Sequence, residues 1–145
     1  MTRESQINLL TKPTCFKVSR EVMKTTLELL REFGEEWLVF DGKRPCVTEA
    51  AAHEECCLYG LSEDEERHVL TLFEEISGQS LTRVSSLNEL SGGQKVIFSA
   101  LLALSSRAKN LLFINFFLAL HESKKRRIEE LIRQSPKTIR VIEDV

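Results

Sequence analysis

Hydrophobic residues recur at intervals of three and four positions in three segments, and this spacing predicts an amphipathic helix in each of them. The first segment covers residues 20–33 and is followed by a glycine. The second covers residues 62–78 and opens on Ser62 and Glu65, which have the spacing of a capping box. The third covers residues 122–134 and places a narrow apolar stripe among many charged residues.

Two short apolar runs flank an Asp-Gly pair in the first third of the chain. Residues 36–40 and 43–47, on either side of Asp41-Gly42, predict a β-hairpin, because Asp-Gly favours the tight turn that joins antiparallel strands. A helix is expected over residues 48–59 and a short extended piece over residues 81–84.

The last third of the chain alternates between helical and extended patterns. Residues 92–107 are apolar on almost every side, so this helix is expected to be central. Residues 111–117 and 138–142 have the length and composition of buried strands. Helix, strand, helix, strand predicts an α/β fold with a parallel sheet covered on both faces, and an α+β arrangement is the alternative.

The 145 residues are expected to form a single domain, 1–145, with a core that needs no disulfide or structural metal. Residues 1–85 would form a hairpin and helical part that starts with an irregular or strand-containing entry over residues 1–18. Residues 86–145 would hold the alternating helices and strands.

The formal net charge of −2 argues against a protein that coats nucleic acid by charge alone. The charge is unevenly distributed, however. Residues 1–90 carry 10 basic and 17 acidic side chains, whereas residues 91–145 carry 10 basic and 5 acidic ones.

The four cysteines, Cys15, Cys46, Cys56 and Cys57, do not resemble a secreted disulfide framework, so we expect reduced thiols in a cytoplasmic protein. No segment approaches the roughly 20 apolar residues that span a bilayer, and no membrane association is expected. His53, Cys56 and Cys57 share one predicted helix and could bind zinc together with Cys46. Their spacing matches no familiar zinc finger, and small buried cysteines on a helix are commoner, so no metal is expected.

Ser91-Gly92-Gly93-Gln94 opens the apolar helix of the last third. The first N–H groups of a helix lack internal partners and carry partial positive charge, two glycines permit close approach of a ligand, and the serine hydroxyl adds a donor. The segment can therefore bind an anion. The alternative interpretation is a serine cap on a glycine-loosened turn into a core helix.

Leu90-Ser91-Gly92-Gly93-Gln94 resembles the signature motif of ABC-type ATPases, and the longer stretch 86–95 is most similar to the SMC, Rad50 and RecF-like branch. The resemblance covers about residues 84–145, where helix, strand, helix and strand follow the family's order. It implies an ABC ATPase fold in this part of the chain.

Several residues depart from the family's catalytic pattern. The Walker B aspartate and catalytic glutamate fall on Asn115 and Phe116, which lack the charge that favours Mg²⁺ and the group that orients the attacking water. The D-loop Leu-Asp falls on His121-Glu122, and the switch histidine falls near Asp144.

The sequence contains no Gly-x-x-x-x-Gly-Lys-Ser/Thr, and its nearest candidate, residues 41–44, lacks the first glycine and the Ser/Thr. Without this Walker A loop there is no backbone cradle for the β and γ phosphates. We therefore expect no catalysis and no bound cofactor, except ATP supplied by a partner that carries Walker A.

The resemblance implies that a signature motif contacts ATP held by another protomer. One hypothesis is thus a regulatory or scaffolding subunit, related to DNA-maintenance ATPases, that completes the ATP site of a Walker A-bearing partner in trans. The expected protein partner is an ABC/SMC-type ATPase or a second copy of the chain, and a homodimer would have two signature faces and no nucleotide cradle. The other is a stand-alone protein- or DNA-binding module.

The basic run Lys124, Lys125, Arg126 and Arg127 lies in the predicted third amphipathic helix. A solvated helix face is one interpretation, and contact with the phosphate backbone of DNA is the other.

Overall fold

The computed structural model describes residues 15–18, 37–45 and 50–144, and its four described strands form one parallel sheet. In chain order the elements are β1 (Cys15–Val18), β2 (Trp37–Asp41), α1 (Ala52–Leu58), α2 (Glu63–Ser77), a 3₁₀ turn (Leu87–Glu89), α3 (Gly92–Ser105), β3 (Asn110–Ile114), α4 (Glu122–Gln134) and β4 (Thr138–Asp144). The strand order is β1-β4-β3-β2, and every pair is parallel. The predicted α/β fold with a parallel sheet is confirmed.

Strand β3 lies inside the sheet between β4 and β2, and its apolar run explains that position. Phe113 is aligned with Phe40 of β2 and Val141 of β4. Residues 111–114 are buried whichever face of the sheet they occupy, as expected of a central parallel strand. Because all four strands run in one direction, their carboxyl ends meet at the same edge of the sheet.

Helix α3 is the centre of the core, as its all-round apolar pattern predicted. Every residue from Val96 to Ala103 is buried, including Ser99. Helix α2 packs beside α3, and the rings of Phe73 and Phe98 meet edge to face with centroids 6.1 Å apart. Helix α4 is more peripheral, with Ile128 as its one fully buried residue.

The helices predicted over residues 62–78, 92–107 and 122–134 are confirmed. Helix α2 begins at the predicted capping box and ends at Gly78, which adopts the left-handed conformation with φ 77°. Helix α4 has the predicted bounds, and α3 ends two residues earlier than predicted. The helix predicted over residues 20–33 lies outside the described residues.

The predicted hairpin at Asp41-Gly42 is not formed. Strand β2 pairs in parallel with β3 instead, and the Gly42 N–H donates to the carbonyl oxygen of Ile114 at 2.7 Å. Asp41 does begin a turn, since its carboxylate accepts from the Lys43 N–H and its carbonyl accepts from the Arg44 N–H. The residues that follow, 42–45, form a turn and bend and not a returning strand; residues 46–49 lie outside the described part.

Three other boundaries differ from prediction. Helix α1 begins at Ala52, later than expected, and is only seven residues long. Residues 81–84 form a loop with a turn; the His53 N–H at the start of α1 donates to the Arg83 carbonyl, and Ala51 and Ser86 form an isolated antiparallel bridge. Strand β3 ends at Ile114, because Asn115 has a positive φ of 51° that no strand can continue.

None of the described helices is both long and apolar enough to cross a membrane.

Candidate functional site

Ser91 is the N-cap of α3. Its hydroxyl oxygen accepts from the Gln94 N–H at 3.2 Å, while Gln94 Oε1 accepts from the Ser91 N–H at 2.9 Å. This is a complete capping box, so the capping interpretation of the motif is confirmed for these two residues. The Ser91 O–H can still donate a hydrogen bond to a ligand, because the oxygen acts only as acceptor in the bond from the Gln94 N–H.

The two glycines of the motif differ in their surroundings. A Cβ atom at Gly93 would lie 2.9 Å from the carbonyl oxygen of Ala119, so packing within the chain accounts for this glycine. A Cβ atom at Gly92 would meet nothing within 4 Å, and Gly92 is exposed. Packing between described residues therefore gives no reason for glycine at position 92.

Gln94 joins the start of α3 to the segment after α2. Its Nε2 donates to Gln79 Oε1 at 2.5 Å, while its Oε1 is held by Ser91. Both ends of the Gln94 side chain are thus engaged within the chain. This glutamine supports the first turn of α3, and Ser91 and Gly92 present the more open surface.

The loop after β3 brings the D-loop-like residues beside this turn. The contact of Gly93 with Ala119 places residues 118–120 against the start of α3. Leu118 is 64% exposed, and His121 and Glu122 are exposed at the start of α4. His121 is the N-cap of α4 without a side-chain cap bond, and Glu122 lies 3.5 Å from Arg126. The structure therefore brings the signature residues and this loop together.

The two positions predicted to correspond to the Walker B carboxylates are both buried. Asn115 is 5% exposed, and its N–H donates to the Ile142 carbonyl at 2.8 Å, which extends the β3–β4 pairing. Phe116 is 0% exposed and lies in the core cluster, with its ring 4.5 Å from that of Phe113. The position predicted to match the family's catalytic glutamate is therefore part of the hydrophobic core.

Gly42 packs directly against the backbone of Asn115. A Cβ atom at Gly42 would lie 2.2 Å from the Asn115 carbonyl oxygen, so only glycine fits at this position. The carboxyl end of β2 and the end of β3 are in direct backbone contact as a result. At the other side of the sheet, the backbone of Asp144, the switch-histidine position, is aligned with Val18 of β1.

The basic run on α4 is engaged by neighbouring side chains. Arg126 lies 3.5 Å from Glu122, and Arg127 lies 3.8 Å from Glu75 of α2 and 3.7 Å from Glu130. Lys125 Nζ stands 5.7 Å from the centroid of the Phe117 ring. Lys124, the first residue of the run, is half-buried. These contacts favour the interpretation of the basic run as a solvated helix face whose charges are paired with carboxylates of the same chain.

The described residues contain no group of three or more His, Cys, Asp or Glu side chains placed to hold a metal ion. Of the predicted zinc candidates, Cys56 is buried, Cys57 is exposed, and Cys46 lies outside the described residues. Burial raises the pKa of the Cys56 thiol to about 12, with Glu66, Cys57 and Glu55 adding to the shift, so this sulfur remains protonated.

His53 instead belongs to a polar cluster that the sequence analysis did not predict. Its Nδ1 lies 2.6 Å from Glu66 Oε1, its Nε2 lies 3.6 Å from Cys57 Sγ, and Arg83 Nη2 lies 2.9 Å from Nδ1. Glu66 and Arg83 are 13 and 30 residues from His53 along the chain. Only the His53–Cys57 spacing of four residues was visible as a sequence signal.

No protein-family model matches the chain, and no curated protein sequence matches it. Among solved structures, the chain is similar to a putative ABC transporter ATP-binding protein from Pyrococcus furiosus, with a TM-score of 0.63 and 17% sequence identity. The match covers 90% of this chain and 76% of that chain. The chain therefore has an ABC ATPase-like α/β fold.

Proposed function

We propose that the chain is a non-catalytic ABC ATPase-like module, related to SMC/Rad50-type ATPases, that completes the ATP site of a Walker A-bearing partner in the cytoplasm. The contact is made by the signature segment, defined as Leu90–Gln94. The observation that carries the proposal is the exposed Gly92 in the first turn of α3.

Gly92 provides a small, open surface at the positive end of a helix. The first N–H groups of α3 lie here, and an anion is stabilised by these groups and by the helix dipole. A side chain at position 92 would meet nothing inside the described chain, whereas it would stand between these N–H groups and any phosphate that approached them. The γ-phosphate of ATP bound by another protomer is the anion that this surface suits.

The chain's own catalytic positions support a role without hydrolysis. Phe116 lies in the core and cannot orient a water molecule, and Asn115 carries no charge for Mg²⁺. These substitutions leave the signature segment intact, because Ser91, Gly92 and Gln94 do not depend on either residue for their hydrogen bonds.

The sequence after each described strand also supports this role. A P-loop follows directly on a strand as Gly-x-x-x-x-Gly-Lys-Ser/Thr. Residues 19–26 after β1, 42–49 after β2 and 115–122 after β3 do not have this pattern. A nucleotide would therefore come with the partner.

The ion pairs of α4 weigh against DNA binding as the main activity. Arg126 and Arg127 already contact carboxylates in exposed ion pairs, and a phosphate would compete with these carboxylates for the two arginines. We therefore place the functional surface at the start of α3 and not on α4.

The test is an affinity capture with tagged full-length chain in extract of its own source, with Mg²⁺ and either a non-hydrolysable ATP analogue or ADP. The proposal predicts that a protein carrying Walker A is retained with the analogue and lost with ADP. It also predicts that Ser91→Arg abolishes this retention, because the arginine side chain occupies the phosphate position.

Ser62→Arg is the matched control. Ser62 caps α2 through a capping box of the same kind, so both variants lose one cap of about 1 kcal/mol. Retention that survives Ser91→Arg, or that is lost equally in both variants, would overturn the proposal. A self-associated chain that retains no ATPase would overturn it as well.

A further inference from the structure

Cys57, His53 and Glu66 are arranged as nucleophile, base and orienting carboxylate. His53 and Cys57 are four residues apart on α1 and so share one helix face. The distance from His53 Nε2 to Cys57 Sγ is 3.6 Å, and that from His53 Nδ1 to Glu66 Oε1 is 2.6 Å. This is the order of contacts by which thiols and hydroxyls are activated in proteins.

Glu66 fixes the tautomer of the imidazole. Its side chain is 6% exposed, and a carboxylate can only accept, so a Glu66 carboxylate requires that His53 Nδ1 carries the proton that bonds to Oε1. The lone pair of the neutral imidazole is then on Nε2, which lies 3.6 Å from Cys57 Sγ and 3.2 Å from the Arg83 guanidinium, so the thiol and Arg83 compete for it. The exposed thiol therefore has a proton acceptor in place, held by a carboxylate on a different helix.

Arg83 completes the charge balance of this cluster. Its Nε lies 3.2 Å from Glu66 Oε2, and its Nη2 lies 3.2 Å from His53 Nε2. Transfer of the Cys57 proton to His53 gives a thiolate, an imidazolium, a carboxylate and a guanidinium, two charges of each sign. A nearby guanidinium and imidazolium both stabilise a thiolate.

Backbone bonds keep Arg83 beside α1. The His53 N–H donates to the Arg83 carbonyl at 2.9 Å, and the Ala52 N–H donates to the Ser85 carbonyl at 2.9 Å. Glu66 and Arg83 also line a shallow pocket of about 200 Å³ with Glu63, Arg67 and Leu70. The pocket gives a small molecule space beside Glu66 and Arg83, and Cys57, which does not line the pocket, is itself exposed.

We infer that Cys57 is a reactive thiol that forms mixed disulfides with small-molecule disulfides, with His53 as its base and Glu66 as a positioning residue. His53 takes the proton from Cys57 Sγ, and the thiolate attacks one sulfur of the disulfide. The Cys57 S–S bond forms as the original S–S bond breaks, and the departing thiolate takes the proton from His53. No oxidant besides the disulfide is needed.

The neighbouring Cys56 is a built-in control. It is 1% exposed, and its pKa is raised to about 12, so it is both inaccessible and protonated. The two adjacent thiols are therefore expected to differ sharply in rate while the chain is folded. Once the chain is unfolded, they should react alike.

The experiment follows the reaction of the full chain, carrying Cys15→Ser and Cys46→Ser, with the aromatic disulfide 5,5′-dithiobis(2-nitrobenzoate) at pH 7. We expect one fast thiol that reacts about tenfold faster than the thiols of the same chain in urea, because only the folded chain holds His53 in place to take the proton of Cys57. Cys57→Ser should remove the fast phase. A native rate no higher than the rate in urea would overturn the inference.

His53→Ala tests the base. The fast phase should slow about tenfold while Cys56 stays unreactive, which shows in the same trace that the fold is intact. Unchanged kinetics would overturn the inference. If Cys56 becomes reactive because the His53→Ala variant unfolds, the Glu66→Gln variant is tested instead. This substitution keeps an acceptor for the His53 Nδ1–H but removes the negative charge. A severalfold slower reaction of Cys57 supports the inference, and an unchanged rate contradicts it.

Oxidised glutathione tests the substrate class. Mass spectrometry of the treated chain should find one glutathione, attached at Cys57, and a thiol reductant should release it. Attachment at Cys56, or no attachment, would contradict the inference. The outcome is independent of the trans ATP-site proposal, which rests on the signature segment.

Discussion

The first turn of α3 is pressed against the loop after β3, because a Cβ atom at Gly93 would lie 2.9 Å from the carbonyl oxygen of Ala119. Gly92, one residue earlier, has open space instead. This difference separates a glycine needed for packing from a glycine that packing does not need.

Gly93→Ala should lower the free energy of unfolding by about 1–3 kcal/mol, because the backbone of Ala119 must move away from the new methyl group. Gly92→Ala should raise it by about 0.4–1 kcal/mol through reduced entropy of the unfolded chain. Urea unfolding followed by circular dichroism measures both. Equal effects of the two substitutions would contradict the assignment of distinct roles.

Glu65 makes the capping box of α2 sensitive to acid. Hydrogen bonds from the Ser62 N–H and hydroxyl lower the pKa of this carboxyl, with desolvation opposing and Arg107 and Lys137 reinforcing the shift. A pKa lowered in the folded chain adds stability above the ordinary glutamate pKa of about 4.3, and this stability is lost as pH falls through the folded value.

Glu65→Gln should therefore destabilise the chain at pH 7 and have a smaller effect at pH 3. The variant gives α2 the same uncharged Ser/Gln box that caps α3. Urea unfolding of the unsubstituted chain and the Glu65→Gln variant at both pH values measures the difference. The control repeats this comparison in a chain that carries Ser62→Ala and so lacks the bonding hydroxyl. A stability difference between the unsubstituted chain and the Glu65→Gln variant that is constant with pH would refute this coupling.

The capping boxes show how much of the fold local sequence can predict. Ser62 with Glu65 and Ser91 with Gln94 fix the starts of α2 and α3 through bonds three residues apart, so the spacing was sufficient. Asp41-Gly42 was misleading for the opposite reason. It does form a turn, but the neighbour of β2 is β3, about 70 residues later, and no local signal reports that pairing.

Contacts between residues far apart in the chain also limited the prediction of the two candidate sites. The signature segment could be found because its residues are consecutive, whereas His53, Glu66 and Arg83 meet only after α1, α2 and the following loop have folded. Burial is also a property of the whole fold. The sequence predicted that Phe116 stands at the position of the family's catalytic glutamate, but it could not predict the contact of Phe116 with Phe113.

Phe116→Glu should destabilise the chain by about 3–5 kcal/mol and restore no hydrolysis. It removes a fully buried ring from the core and places a carboxyl group among apolar side chains. Phe116→Leu, which keeps the apolar character, should cost clearly less. Thermal or urea unfolding of the pair provides the measurement, and a Glu variant as stable as the Leu variant would show that position 116 faces solvent.

Substitutions of Asn115 test the left-handed backbone conformation that follows the end of β3. With φ at 51°, a residue with Cβ costs about 1–2 kcal/mol relative to glycine, and asparagine reduces that cost with its polar side chain. Asn115→Gly should therefore be more stable than Asn115→Ala by about 1 kcal/mol in urea unfolding. The reverse order would mean that the backbone at this position is relaxed.

The proposal that the chain has no ATP site of its own is best tested by titrating fluorescent ATP, with Mg²⁺, into the purified protein and following anisotropy and phosphate release. A chain that needs a partner's Walker A loop should give no saturable binding at micromolar nucleotide and no turnover. Saturable micromolar binding, or turnover that rises with protein concentration, would contradict the proposed role.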